Sequence, residues 1–209
     1  MKLFNYLSII AVGLIITSAC STTTKNDNEG EAQESCIYTI DDQSLNFQWT
    51  AYKFTNKTGV KGTFDDIIVT SDDDAASLNE LLNSIGFAIN TGSVNSNEVT
   101  RDLKIAQFFF GTMENTSVIN GELNDANDKG VTIALKLNDM TVDVPATIEV
   151  SGDTVTLKST VDFKAFDAAE ALAMLNQVCS EKHTGEDGKS VFWDVVDIKV
   201  QALYKQECK

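Results

Sequence analysis

The chain has 209 residues, of which 43% are hydrophobic and 22% charged, the proportions of an ordinary folded protein. Its formal net charge of −15 makes for a surface that repels nucleic acid phosphates and anionic lipid headgroups, which argues against DNA or RNA as a partner. With one proline and no long polar run after residue 35, it offers no linker for a second domain, and one core is the simplest account.

Residues 1–19 read as a secretory leader. Lys2 supplies a positive start, residues 7–16 are apolar except for Ser8 and Gly13, and Thr17, Ser18 and Ala19 are small residues of the kind that precede a cleavage site. The apolar run falls short of the about 20 residues that a membrane-spanning helix needs. Cleavage before Cys20 leaves 15 basic against 31 acidic residues, so membrane attachment has to come from a covalent anchor or from specific apolar contact. Residues 20–35 are almost wholly polar and cannot bury enough surface to offset their ordering entropy, so they read as a flexible tether. The folded domain is expected over residues 36–209.

Beyond Cys20 the cysteines are Cys36, Cys179 and Cys208, without a CxxC pair, which argues against a zinc site or a thioredoxin-like motif. In an oxidising compartment two of the three can pair and one is left over. Cys36 precedes the first predicted strand and Cys208 closes the last. If those strands are antiparallel neighbours their ends meet, which makes Cys36 with Cys208 the first choice and leaves a pair involving Cys179 open.

From residue 44 the pattern alternates. Leu45, Phe47, Trp49 and Ala51 share one parity while Ser44, Asn46, Gln48 and Thr50 take the other, the signature of a half-buried strand. Similar runs are predicted over 60–69, 85–89, 118–123, 131–137, 141–150, 155–163 and 197–204. Asn and Asp clusters at 124–130 and 138–139, and Ser-Gly-Asp at 151–153, supply turns between several of them. Pro145 inside a strand pattern predicts an edge, a bulge or a strand start. Helices are predicted over 96–109, capped by Asn95 or Ser96, and over 167–179, capped by Asp167, with a short helical turn at 77–83. So many short strands in succession predict an all-β, antiparallel barrel or sandwich.

Several stretches carry a family resemblance: Tyr38 to Asp41, Ser44 to Phe47, Val60-Lys-Gly-Thr-Phe64, Asn90-Thr-Gly92, Arg101-Asp102 and Phe108-Phe109, in that order. In them the chain resembles the YceI-like lipid-binding family, most distinctly from Cys36 to about Phe110. The resemblance implies a lipocalin-like antiparallel β-barrel of about eight strands with one or two short helices near its mouth. It also implies a long apolar pocket holding an isoprenoid chain in the periplasm. Where the family often carries histidine, this chain has Asp42-Gln43 and Leu103-Lys104. The leader in turn resembles that of a bacterial lipoprotein, with Cys20 as the acylated residue and Thr17 in place of the usual leucine. An outer-membrane location, facing the periplasm or the cell surface, follows; a free secreted form is the alternative.

No catalytic constellation or cofactor motif emerges. His183 is the only histidine and follows a predicted helix end, where stabilisation of that end or exposure to solvent is the simpler role. Asp72-Asp73-Asp74 and the 124–130 turn lack the glycine-centred loop with a distal Glu that calcium binding uses, and read as solvated turns, not as metal sites. The expected pocket lining is Leu45, Phe47, Trp49, Phe64, Phe87, Ile89, Phe108, Phe109, Leu135 and Phe163. Arg101 could meet a ligand headgroup, or spend its charge on Asp102 or nearby carbonyls. Two functional readings stand: a lipid-anchored, non-catalytic carrier of an isoprenoid-type or other long apolar ligand, and a solid-core surface or stress-response module without a small-molecule ligand. The sequence leaves the oligomeric state open.

Overall fold

The computed structural model describes residues 35–209. The leader, Cys20 and the tether lie outside the described residues. Ten strands form one antiparallel sheet: β1 (Cys36–Lys53), β2 (Thr58–Phe64), β3 (Ile67–Thr70), β4 (Gly86–Asn90), β5 (Val94–Asn95), β6 (Val118–Asn127), β7 (Gly130–Leu137), β8 (Met140–Ser151), β9 (Thr154–Asp162) and β10 (Phe192–Cys208). Their spatial order is β3-β4-β6-β7-β8-β9-β10-β1-β2-β5, and the sheet curls into the lipocalin-like barrel expected from sequence. There are ten strands and not eight because the run predicted over 60–69 breaks at Asp65 and Asp66, and because the two residues of β5 are too few to show a period.

That break links the two edges of the curled sheet. β2 pairs with β1 toward one edge of the sheet, while β3 pairs with β4 at the other. Only Asp65 and Asp66 separate Phe64 from Ile67, so the two edges lie within about 11 Å along the chain. The Asp65 N–H donates to the Ser93 carbonyl and the Asn90 N–H to the Asp66 carbonyl, which fixes the crossing from both sides.

Sequence chemistry explains the tight turns. Asn138 and Asp139 both adopt positive φ between β7 and β8, a two-residue connection of the kind whose twist matches that of the flanking strands. Pro145 lies within β8, where the ladder to β9 runs only from Ala146 to Ser151. The missing N–H therefore falls where that pairing stops.

Four short helices decorate the ends: α1 (Leu78–Asn83), α2 (Val99–Lys104), α3 (Ala169–Val178) and α4 (Ser180–His183). Leu81 and Leu82 of α1 are fully buried, and Leu82 packs with Leu123, Val155 and Ala202 to seal one end of the barrel. A larger cluster at the opposite end joins Trp49, Phe64, Phe109 and Phe163 to Ala171 and Leu175 of α3.

Two helix predictions need correction. The helix expected over 96–109 begins at Val99, because Asn97 turns through a left-handed conformation (φ 61°) that separates Ser96 from the helix start. Glu98 is the cap instead, its carboxylate accepting the N–H groups of Thr100 and Arg101. After Lys104 the helix widens to a π turn (Ile105–Phe109) and then tightens to a 3-10 turn (Phe110–Thr112). Asp167 does not cap α3. It sits at φ 52°, ending a 3-10 turn (Phe163–Phe166), and α3 starts two residues later without a side-chain cap. Among the described residues no helix is long and apolar enough to cross a membrane.

Cys36 and Cys208 form a disulfide where the outer ends of β1 and β10 meet, and Cys179 is a free thiol buried beside α3.

Candidate functional site

The inward parity of the strands does not fill the barrel. It leaves a cavity of about 620 Å³, within the range typical of small-molecule sites. Phe47, Trp49 and Phe64 border it from β1 and β2, Phe87 and Ile89 from β4, and Leu135 from β7. Phe109 reaches it from the π turn and Phe163 from the 3-10 turn that precedes α3. The inward side chains of Phe47, Phe87, Ile133, Leu135 and Ile198 are only half-buried, since they face this space and not one another. The interior is therefore not the solid core of the second sequence reading.

Leu45 borders a different space. It lies one pleat, about 7 Å, nearer the sealed end, on a second cavity of about 110 Å³. Phe47, Phe87, Ile89, Ile133 and Ile198 border both cavities and form the wall between them. Phe108 borders neither, and Phe110 takes the place expected for it. Where the π turn passes into the 3-10 turn, Ile105, Phe109 and Phe110 face the cavity while Phe108 turns aside.

Two aromatic walls depend on glycine. Trp49 stands opposite Gly62 and Phe87 opposite Gly121 across their ladders, and a Cβ at either glycine would overlap the facing ring. Each ring occupies the space that a side chain on the facing residue would need. The Trp49 indole N–H is satisfied by the Thr63 carbonyl at 3.0 Å, so a buried polar atom costs nothing there.

Polar chemistry gathers at one rim, where β1 ends and β10 begins. Lys53, Arg101, Lys104 and Lys182 border the cavity there with a single acidic residue, Glu98. Lys104 Nζ donates to the Val178 carbonyl at 2.8 Å and Lys53 Nζ to the Lys182 carbonyl at 3.2 Å, so two amines close the C-terminal ends of α3 and α4. Arg101 spends its guanidinium on Ser96, with Nε to the hydroxyl at 2.7 Å and Nη2 to the carbonyl at 2.6 Å. Asp102 accepts from the Ser96 N–H as well, so serine, not the adjacent aspartate, holds the arginine.

His183 is buried at the same rim, contrary to the solvent or helix-end role read from sequence. Its ring stacks on Phe192 with centroids 5.2 Å apart, and Nδ1 lies 3.0 Å from the Asn176 side-chain oxygen. Burial first, then the Lys53 and Lys104 amines, lowers its pKa to about 4. Burial raises the pKa of the Cys179 thiol, which keeps it protonated and unreactive. Sequence reasoning missed Phe110, Leu175, His183, Phe192 and the three rim lysines, which carry no local signal, whereas Ala51, Ile133 and Leu137 share strand parity with Trp49 and Leu135 and could have been added to the lining. Among the described residues no group of three or more His, Cys, Asp or Glu gathers to hold a metal ion.

The fold has close counterparts among solved structures. A polyisoprenoid binding domain from Saccharophagus degradans, implicated in plant cell wall breakdown, superposes with a TM-score of 0.56 at 13% identity, covering 80% of this chain and 97% of that one. BcnA from Burkholderia cenocepacia gives 0.52 at 17% identity, with 80% and 99% covered. The YceI protein of Campylobacter jejuni gives 0.50 at 19%, with 74% and 89% covered. At these identities the likeness is one of fold. No curated protein matches the chain in sequence. The YceI-like domain matches residues 38–202, from near the start of β1 to within β10, and the chain belongs to that family.

Proposed function

We propose that the protein is a lipid-anchored binding protein that holds an isoprenoid-type or other long apolar ligand inside its barrel and catalyses no reaction. One observation carries this reading: a 620 Å³ space walled by aromatic and aliphatic side chains, with a smaller apolar space of 110 Å³ beyond it. Two apolar spaces in line along the barrel suit a chain more than a compact molecule. Burying such a chain contributes about 25 cal/mol per Å² before the costs of association, so few polar contacts are needed. The Saccharophagus domain of the same fold, which binds a polyisoprenoid, supports the ligand class. The anchor rests on Cys20 and its leader, and with it an exported protein at the outer membrane.

The test is to purify the protein without delipidation, extract it and identify any bound lipid by mass spectrometry. The emptied protein is then melted with and without an isoprenoid quinone. Ligand at a hundred times its Kd stabilises the fold by about 2.7 kcal/mol, which is a readily measured rise in Tm. An extract free of lipid together with an unchanged Tm would rule the reading out.

A further inference from the structure

The two most exposed large apolar side chains among the described residues are Val99, at 75%, and Leu103, at 64%. Both belong to α2, which borders the mouth of the cavity through Thr100, Arg101 and Lys104. They are four residues apart, and with Gln107 they form one continuous outward face of the helical run, three turns in a row without cover. A carrier of water-soluble ligands gains nothing from such a face; one whose ligand dissolves only in lipid has to meet that phase. The charge at this place also differs from the rest of the molecule. The end of β1, α2 with its cap, and α4 carry Lys53, Arg101, Lys104 and Lys182 against Glu98, Asp102 and Glu181, a positive balance in a chain of −15. No carboxylate lies within ion-pair distance of these four basic groups among the described residues.

We propose that Val99 and Leu103 of α2 dock the mouth of the barrel on a lipid surface, the two side chains entering the apolar boundary while the basic rim behind them meets lipid phosphates. The occupant of this face is a membrane and not a protein, because an apolar pair beside cations that have no carboxylate partner among the described residues matches a phosphate layer over hydrocarbon. Docking places the cavity entrance against the phase from which an apolar chain is drawn. The rest of the chain, net acidic, is held off by the same headgroups. The proposal rests on the cavity being a lipid site.

The experiment uses the full chain with Leu103→Trp, mixed with vesicles of phosphatidylglycerol and phosphatidylcholine brominated on the acyl chains. Emission of the unsubstituted chain, from Trp49 and Trp193, is subtracted. A docked α2 loses about half or more of its tryptophan emission to bromine at that shallow depth, with a blue shift. Val99→Asp in the same background restores the emission, because a carboxylate at that depth is expelled. A tryptophan that stays unquenched and unshifted, as a protein-facing or solvent-facing helix gives, overturns the proposal. So does quenching that Val99→Asp leaves unchanged. Lipid extracted from the same preparations separates the two readings: quenching without bound ligand fails the cavity's role, and bound ligand without quenching fails the docking.

Discussion

His183 shows how far a single side chain can depart from its sequence context. Alone after a helix, it reads as a helix-end cation. In the fold, the Thr184 to Ser190 bridge turns the chain back, so that Phe192 stacks on the ring and Asn176 faces its Nδ1. Nothing local encodes that meeting, which is why its burial could not be read from the residues around it. The consequence is a pH dependence with a definite sign. The folded pKa of about 4 lies below the ordinary 6.5, so between these values the unfolded chain binds the proton more readily than the native one. The stability associated with the neutral ring is complete above pH 6.5 and is lost as the pH falls from 6.5 toward 4. The loss is on the order of 2–3 kcal/mol. His183→Gln does not titrate, so urea midpoints of the variant should fall less between pH 7 and pH 4.5 than those of the unsubstituted chain. Equal falls in both would show that the ring does not govern acid sensitivity.

At the scale of elements, the turns and alternating strands were legible because period two and positive-φ residues are local signals. Asn138 and Asp139, Leu45 through Ala51, and Val131 through Leu137 all declared themselves. The helical stretches were not legible in the same detail. Their starts depend on Asn97 and Asp167 adopting left-handed conformations, and the π turn at Ile105–Phe109 decides which phenylalanines reach the cavity. Three consecutive phenylalanines give no local sign of which of them face inward, and so the expected lining held Phe108 where the fold uses Phe110. Asn138 ties these two kinds of element together. Its side-chain oxygen accepts the Glu114 N–H at 2.8 Å, and its amide donates to the Phe166 carbonyl at 2.8 Å. The hairpin turn thus holds the 3-10 turn that carries Phe163 to the cavity. Asn138→Gly keeps the backbone conformation and loses both bonds, for a cost of about 1–2 kcal/mol. Asn138→Ala adds the strain of a positive φ and should cost about 1 kcal/mol more. Chemical denaturation of both variants gives the order, and an alanine variant no weaker than the glycine one would contradict the backbone part of the argument.

The whole molecule separates two tasks by position. At one end of the barrel, Leu82, Leu123, Val155 and Ala202 pack into a cluster that leaves only the space of about 110 Å³; at the other, the aromatic walls surround the larger one of about 620 Å³. Strands β1 and β10, eighteen and seventeen residues long, run the full distance between these ends and pair along it. Their outer ends are joined by Cys36 and Cys208, while their inner ends, Lys53 and Phe192, border the cavity rim. The crosslink spans 172 residues of sequence, so it restricts the unfolded chain over nearly the whole domain. Loop-closure entropy for that length predicts a contribution of about 5 kcal/mol, and native disulfides typically deliver about 2–5. Replacing both cysteines by serine should therefore lower the unfolding free energy by a value in that range. The cavity lies at the far end of both strands, so the rise in Tm on adding an isoprenoid quinone should be the same for the serine variant as for the unsubstituted chain. Thermal melts with and without ligand measure both effects together. A stabilised crosslink with an unaltered ligand response fits a barrel in which one end holds the fold and the other holds the ligand. A ligand response that vanishes with the disulfide would mean that the two ends are coupled through β1 and β10, and that the cavity exists only in the closed, crosslinked barrel.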